Sequence, residues 1–142
     1  MIKSYASYFV SYLLKEIKNT DNIKSIILFG SAAREESNKD SDIDIFIDIF
    51  KEDKRFDILI NKILQGFYLS REALMFKAKN IDNKINIIAG KLDEWEDLKK
   101  SIESIGITLY GNYKSEGVNG RKYSIIYWDS IKLNRGAFLN KI

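Results

Sequence analysis

The sequence predicts an α/β (α+β) fold in which a mixed β-sheet is flanked by helices. Three observations favour it: apolar residues recur at helical spacing near the N-terminus, short β-branched runs follow, and residues 42–50 alternate strictly between polar and apolar. Strands and helices then alternate along the chain. At 142 residues, the chain has room for one compact domain with a real core.

The composition excludes several classes of site. The chain has no cysteine and no histidine, which removes disulfides, thiolate sites, the commonest zinc ligand and the commonest general base. Any metal would therefore be a hard cation bound by oxygen, such as magnesium or manganese, and phosphate chemistry is the natural enzyme class. No apolar run approaches the roughly 20 residues that span a bilayer, and no signal peptide is evident, so we expect a cytoplasmic protein without a membrane partner.

Basic charge is concentrated in the last part of the chain. Residues 111–142 hold six Lys or Arg against two acidic residues, a net charge of +4. The whole chain carries +3, so the rest of the chain carries −1. This segment could contact nucleic acid or an acidic partner, or form a solvated surface. The glycine-containing loop that begins it predicts a boundary between a core, residues 1–110, and a basic C-terminal extension, residues 111–142, with a strand at 123–128 and a helix-length tail.

The first elements follow from periodicity. Residues 2–19 predict an amphipathic helix lying on the sheet, and residues 23–29 predict a buried strand that Gly30 ends. Residues 31–36 predict a short helix with Ser31 as its N-cap, and a polar loop follows. In residues 42–50 the isoleucines lie on one face, which predicts a core face and an opposite face that carries acid.

Later elements have less regular signals. Residues 53–65 and 67–79 have helical apolar spacing with interruptions near Gly66 and Ser70, and residues 84–89 predict a third strand. Asp93 and Glu96 resemble a capping box that starts another helix. Residues 107–110 predict a short extended run.

Asp42 and Asp44 are the first candidate site residues. Carboxylates at positions i and i+2 of a strand project from the same face about 6 to 7 Å apart, so divalent cations can bridge them. The isoleucines behind them would hold them rigidly. Asp48 lies about 13 Å beyond Asp44 on the same face, which suggests a solvent-facing or structural role.

Gly30, Ser31 and Arg34 are the candidate nucleotide-binding residues. Glycine allows close approach of a ligand, Ser31 offers a hydroxyl beside helical amides, and Arg34 can add a charged contact. Each feature alone is also typical of an ordinary turn or a solvated face. Together with Asp42 and Asp44, which ten intervening residues separate from Ser31, they predict a site for a metal-bound nucleoside triphosphate.

This pattern resembles the minimal nucleotidyltransferases of the DNA polymerase beta superfamily, in which Gly-Ser precedes Asp-x-Asp on the next strand. The matching residues are Gly30, Ser31, Ala33, Arg34, Glu36, Ser41, Asp42, Ile43 and Asp44. Glu35 departs from the glycine that many members carry. The resemblance implies a polymerase-beta-like core, ATP or another NTP as donor and two magnesium ions, with Gly30 and Ser31 on the triphosphate and Asp42 and Asp44 on both metals.

The family's third carboxylate corresponds to Asn86 in this chain. An amide can offer an oxygen to a metal but is a very poor base, so Asn86 would complete the catalytic set without accepting a proton. We therefore expect either an enzyme that works with two acids and solvent, or a site that binds nucleotide with little turnover. On the neighbouring strand, Asn86 should lie across from Asp42 and Asp44.

The leading functional prediction is a magnesium-dependent nucleotidyltransferase that moves an NMP group, foremost AMP from ATP, onto a hydroxyl of a protein or nucleic acid. The resemblance also implies one specific version, an antitoxin enzyme that adenylylates a toxin with a HEPN domain. The alternative is a catalytically weak nucleotide- or RNA-binding module whose basic segment contacts phosphates. A plain protein-interaction domain is a third possibility.

Overall fold

A mixed four-stranded sheet forms the centre of the computed structural model, which describes residues 2–34 and 41–111. The predicted α/β (α+β) class is thereby confirmed. The predicted strand at 123–128 and the rest of residues 112–142 lie outside the described residues. The strands are β1 (Ile23–Phe29), β2 (Ile43–Ile49), β3 (Ile85–Gly90) and β4 (Ile107–Gly111). The helices are α1 (Ile2–Glu16), α2 (Ser31–Arg34), α3 (Lys54–Tyr68), α4 (Arg71–Ala78) and α5 (Glu96–Ile105), with a 3₁₀ turn at Leu92–Glu94.

The strand order is β3-β2-β1-β4. β2 pairs antiparallel with β1 and parallel with β3, while β4 pairs antiparallel with the other side of β1. In this register Asp44 lies opposite Phe29 on one neighbour and opposite Asn86 on the other. Directly paired residues project from the same face of a sheet, so these three side chains form one row.

The larger core lies between one face of the sheet and helices α1, α3 and α4. Phe67 is fully buried there, and its ring centroid lies 5.3 Å from that of Phe9 and 5.5 Å from that of Tyr5. Burial raises the pKa of Tyr5 to about 12. The isoleucines of β2 supply the sheet side of this core, as their alternation predicted: Ile43, Ile45, Ile47 and Ile49.

The opposite face of the sheet, which was expected to carry acid, is also packed along part of its length. Ile27, Phe46, Leu92 and Ile102 form a smaller core beneath α5. Asp48 is only 6% exposed, and its carboxylate accepts a hydrogen bond of 3.0 Å from the Leu92 backbone N–H. The solvent-facing interpretation of Asp48 is therefore wrong, and the structural interpretation holds.

Several helix boundaries differ from the expectations. Gly66 lies inside α3, where α1 packs so closely that an added Cβ would meet the Tyr12 hydroxyl at 2.9 Å. The interruption falls instead at Ser70, whose hydroxyl accepts from the Ala73 N–H and caps α4. Asp93 caps nothing, because a 3₁₀ turn precedes α5, and its carboxylate pairs with Lys99 at 2.8 Å.

No helix within the described ranges is long and apolar enough to cross a membrane.

Candidate active site

We call the row of Phe29, Asp44 and Asn86 the site row. It lies on the same face of the sheet as α5, at the end of that face that α5 leaves unburied. Asp42 is exposed just before β2, while Asp44 and Asn86 are partly buried. The next row along the strands, Ile27, Phe46 and Ile88, belongs to the smaller core. Among the described residues, the two carboxylates thus lie at the end of the packed part of this face, and Asp42 is exposed to solvent.

Asn86 contacts both carboxylates. Its side-chain amide donates to Asp42 Oδ2 at 2.8 Å and lies 3.4 Å from Asp44 Oδ1. The three side chains are therefore brought together on adjacent strands, where the sequence argument expected them. The amide N–H₂ group is directed at both carboxylates, and it partly offsets their mutual repulsion.

The turn at Gly30 is built against Asp44. Gly30 has a φ of +74°, a conformation that favours glycine, and a Cβ at this position would lie 2.6 Å from Asp44 Oδ2. Both the backbone conformation and the close approach of the carboxylate exclude a side chain. The turn therefore lies directly against the Asp44 carboxylate.

The short helix α2 positions Ser31 beside that turn. Its Ala32 and Ala33 side chains are buried in the larger core, which fixes the helix on the sheet. The N–H groups of Ala33 and Arg34 donate to the Gly30 carbonyl, so only amides earlier in the turn could contact a phosphate. Ser31 is the first helical residue rather than the N-cap, a position that Gly30 takes. Arg34 is exposed one turn along.

Two supporting residues were missed by the sequence argument. Asn83 is 5% exposed, and its side-chain amide donates a hydrogen bond of 2.6 Å to the carbonyl of Ser41, which directly precedes Asp42. The Tyr68 hydroxyl accepts from the backbone N–H of Ile85, which directly precedes Asn86. These bonds fix the starts of β2 and β3. Nothing in their local sequence distinguishes them from ordinary loop and helix residues.

The remaining acids nearby belong to the fold. Burial raises the pKa of Asp48, two rows away from Asp44 on β2, although the Leu92 N–H and Lys24 partly oppose this effect. The hydrogen bond and charge of Lys99 lower the pKa of Asp93. Asp48 and Asp93 thus have partners of their own, Leu92 and Lys99, whereas Asp42 and Asp44 share the Asn86 amide.

The donor set at the site row fits a hard cation. Across residues 2–34 and 41–111, no group of three His, Cys, Asp or Glu side chains could hold a metal ion. The Asp42 and Asp44 carboxylates nevertheless supply oxygen ligands, and magnesium is commonly held by one or two carboxylates together with substrate phosphates. Asn86 presents its N–H₂ group to them rather than its amide oxygen. Asn86 is neutral, so the site has one charged ligand fewer for a second metal ion than a site with three carboxylates would have.

Comparisons with known proteins show the family and the fold of the chain. The chain matches the family model described as nucleotidyltransferase domain over residues 10–126. A similar solved structure, described as the crystal structure of the toxin-antitoxin with AMP-PNP, has a TM-score of 0.51 at 21% sequence identity, and the likeness covers 75% of this chain and 73% of that one. No curated protein matches the chain.

The structural likeness, at this identity, supports the fold. The family match covers most of the chain and includes every residue of the candidate site. This chain belongs to the nucleotidyltransferase domain family, and it is a nucleotidyltransferase.

Proposed function

We propose that this protein is a magnesium-dependent nucleotidyltransferase that moves an NMP group, foremost AMP from ATP, onto a hydroxyl of a protein or nucleic acid. The observation that carries the proposal is the contact between the Gly30 turn and the Asp44 carboxylate, with Asp42 beside it. A turn suited to phosphate and a pair of metal-binding acids are held against each other. The family membership supports transfer of a nucleotidyl group in general.

Each residue has a proposed role that follows from its position. Gly30 lets the triphosphate approach the backbone, and Ser31 and Arg34 contact its oxygens. Asp42 and Asp44 would hold Mg²⁺, or Mn²⁺, as one or two ions. When bound, the metal neutralises the triphosphate and the charge that develops during transfer.

The transfer itself makes one bond and breaks one. An acceptor hydroxyl oxygen bonds to the α-phosphorus of ATP while the bond from that phosphorus to the pyrophosphate oxygen breaks. The hydroxyl proton must leave, and Asn86 cannot accept it because an amide is not a useful base. We propose that solvent takes the proton, so that positioning and electrostatics provide most of the rate enhancement.

The acceptor is proposed from the structural likeness. The neighbouring structure is described as a toxin-antitoxin with AMP-PNP, an ATP analogue. We propose that this chain likewise takes ATP, in the cytoplasm, and that a partner toxin, for which a HEPN-type protein is the specific candidate, supplies the acceptor hydroxyl. Nucleic acid, contacted through the basic residues 111–142, is the other acceptor class.

A second function is favoured by the identity of Asn86. With an amide where a third carboxylate would complete the set, the protein could hold Mg·ATP and turn it over only weakly, as a nucleotide- or RNA-binding module. Such a module would bind RNA with a steep salt dependence, because about four net charges would contact phosphates.

Incubation with α-labelled ATP and magnesium tests the proposal. Wild type should transfer label to an added acceptor, and the Asp42→Asn and Asp44→Asn variants should not. Candidate acceptors are a purified HEPN-domain protein and single-stranded RNA. Asp97→Asn, an exposed acid on α5, is the matched control and should label at the wild-type rate.

The outcomes separate the two functions. Label transfer by the double Asp variant at the wild-type rate would overturn the proposed site. Labelling that appears only in Asn86→Asp, with Mg·ATP binding intact in wild type, would identify the weak nucleotide-binding module.

A further inference from the structure

We propose that the outward surface of α3 and α4 binds a protein segment that carries acidic and apolar side chains together. We call this surface the outer face. It lies on the opposite side of the sheet from Asp42 and Asp44, because α3 and α4 pack on the larger core. The inference therefore stands independently of the proposed transfer reaction. The apolar members of the outer face are Ile58, Leu59, Leu69, Leu74 and Met75.

These side chains are unusually exposed. Leu69 is 79% exposed, Ile58 69%, Met75 58%, Leu74 51% and Leu59 39%. They make up five of the eight large hydrophobic side chains that are exposed within the described part of the chain. Single exposed hydrophobic residues are normal on a surface, but their concentration on one helix pair marks an interaction site.

The turn between the two helices brings three of these residues close together along the chain. Leu69 is the C-cap of α3 and Ser70 is the N-cap of α4, so Leu69 directly precedes the helix that carries Leu74 and Met75. Ile58 lies about three helical turns before Leu69 on the same side of α3. The buried residues of α3 face the core: Phe56, Ile60, Ile63, Leu64 and Phe67. The apolar side chains of the outer face are therefore not part of the core.

Charge identifies the partner. Residues 54–79 contain six basic and two acidic residues, a net charge of +4, and all six basic side chains are exposed. The rest of residues 1–110 holds sixteen acidic and eleven basic residues, a net charge of −5. The positive charge of the core is therefore concentrated on the helix pair that also exposes its apolar side chains. A partner with acidic residues around an apolar stripe matches both properties.

Other occupants fit less well. Residues 111–142 of the chain itself carry a net charge of +4, so this segment would be repelled by the outer face. Single-stranded nucleic acid stacks its bases on aromatic side chains, whereas the exposed apolar residues of this face are aliphatic or methionine. The observations favour an acidic protein segment.

A synthetic peptide tests the inference with the full-length chain. The probe is a fluorescein-labelled helical peptide of about 18 residues with leucine on one face and glutamate on both flanks. A peptide of the same composition in scrambled order, and one with lysine in place of glutamate, are the comparison probes. Fluorescence anisotropy should show that the first peptide binds at least about tenfold more tightly than the other two, with an affinity that falls as salt is added.

Variants of the protein locate the binding. Two double variants should each bind the acidic peptide about tenfold more weakly or worse than wild type. One is Leu69→Ser with Leu74→Ser, and the other is Arg71→Glu with Lys77→Glu. Phe50→Ser and Lys100→Glu change exposed residues elsewhere and should leave it unchanged. Circular dichroism and Mg·ATP binding report whether each variant is folded.

Three results would overturn the inference: equal binding of the ordered and scrambled peptides, binding unaffected by either pair of changes, or tighter binding of single-stranded RNA than of the acidic peptide at this face. Loss of ATP labelling in Asp42→Asn and Asp44→Asn concerns only the transfer reaction, so the two proposals fail independently.

Discussion

Asn86 differs from a carboxylate in the two properties that matter at this site: it carries no charge and it cannot take a proton. Its amide nevertheless contacts Asp42 at 2.8 Å and lies 3.4 Å from Asp44, so a carboxylate of the same shape would complete an acidic triad. Asn86 therefore lies where a third carboxylate would complete the acid group, and it supplies a neutral amide in its place.

We predict that Asn86→Asp raises the rate of nucleotidyl transfer by about 100-fold, the lower end of what a positioned base contributes. It should also bind magnesium more tightly, since a third negative charge joins the site. Label transfer measured at saturating Mg·ATP checks the rate. An unchanged rate together with unchanged metal affinity would show that Asn86 does not occupy the third position.

Gly30 couples backbone conformation to the acid pair. Gly30→Ala should destabilise the fold by about 1 to 2 kcal/mol, because a residue with a Cβ is strained at a φ of +74°. It should also abolish Mg·ATP binding, because the added methyl group displaces the Asp44 carboxylate. Urea unfolding and ATP titration measure the two effects.

Gly66→Ala provides the control for that variant. Its Cβ would press on the Tyr12 hydroxyl between α1 and α3, far from the acids. The stability of Gly66→Ala should differ from that of wild type while its Mg·ATP binding persists. Loss of Mg·ATP binding in both glycine variants would argue against a special role for Gly30.

Asp48 gives the fold a pH dependence. Burial raises its pKa in the folded protein above the ordinary value of 3.8, so the folded state holds the proton more tightly than the unfolded state does. This group's contribution to stability therefore falls as the pH rises from about 4 through the folded pKa, and is constant above it.

Asp48→Asn should consequently be more stable than wild type at pH 7, with the difference shrinking toward pH 3. The Asn amide oxygen can still accept from the Leu92 N–H, and its N–H₂ group would face Ser25, whose buried hydroxyl lacks a hydrogen-bond partner among the described residues. Urea midpoints at both pH values measure this. A variant that is less stable than wild type at pH 7 would contradict the argument.

Among the elements, α5 determines where the acid face is open. Its Ile102 is 2% exposed in the smaller core, together with Ile27 and Phe46, and this packing covers the sheet up to the row beside Asp44. The site is thus the part of one sheet face that a single helix leaves uncovered.

Ile102→Ala should destabilise the protein by about 2 to 5 kcal/mol, as expected when a buried isoleucine leaves a cavity. Ile58→Ala makes the same chemical change on α3 at a side chain that is 69% exposed, and it should cost less than about 0.5 kcal/mol. Chemical denaturation of both variants measures the difference. Equal losses would mean that α5 does not form a core with the sheet.

At the scale of the whole molecule, the elements with strong periodicity were predictable and the supports between distant segments were not. The alternation in β2 predicted the buried isoleucines, because side chains alternate between the faces of any strand. The same alternation could not show that Ile102 of α5 would pack with Phe46, or that the Leu92 N–H would bond to Asp48, since both depend on how a later segment packs.

The same limit applies to the site. Gly30, Asp42 and Asp44 could be chosen because their residue types and spacing carry chemistry, whereas Asn83 and Tyr68 act through single hydrogen bonds to backbone groups remote in sequence. The interruption expected near Ser70 coincides with the start of α4, whereas the capping-box pattern at Asp93 does not start a helix because Leu92–Glu94 forms a 3₁₀ turn. Local patterns predict elements, but contacts between elements decide which polar residues support the site.

The central claim is that the Gly30 turn and the two acids together hold a metal-bound nucleoside triphosphate. The most direct test is a calorimetric titration of ATP into the full-length protein, with magnesium and then with EDTA, repeated for Asp42→Asn with Asp44→Asn and for the control Asp97→Asn. We predict binding that requires magnesium in wild type and in Asp97→Asn, and no binding in the double variant. An ATP affinity that is equal with and without magnesium would contradict the claim. So would an affinity that is equal in wild type and in the double variant.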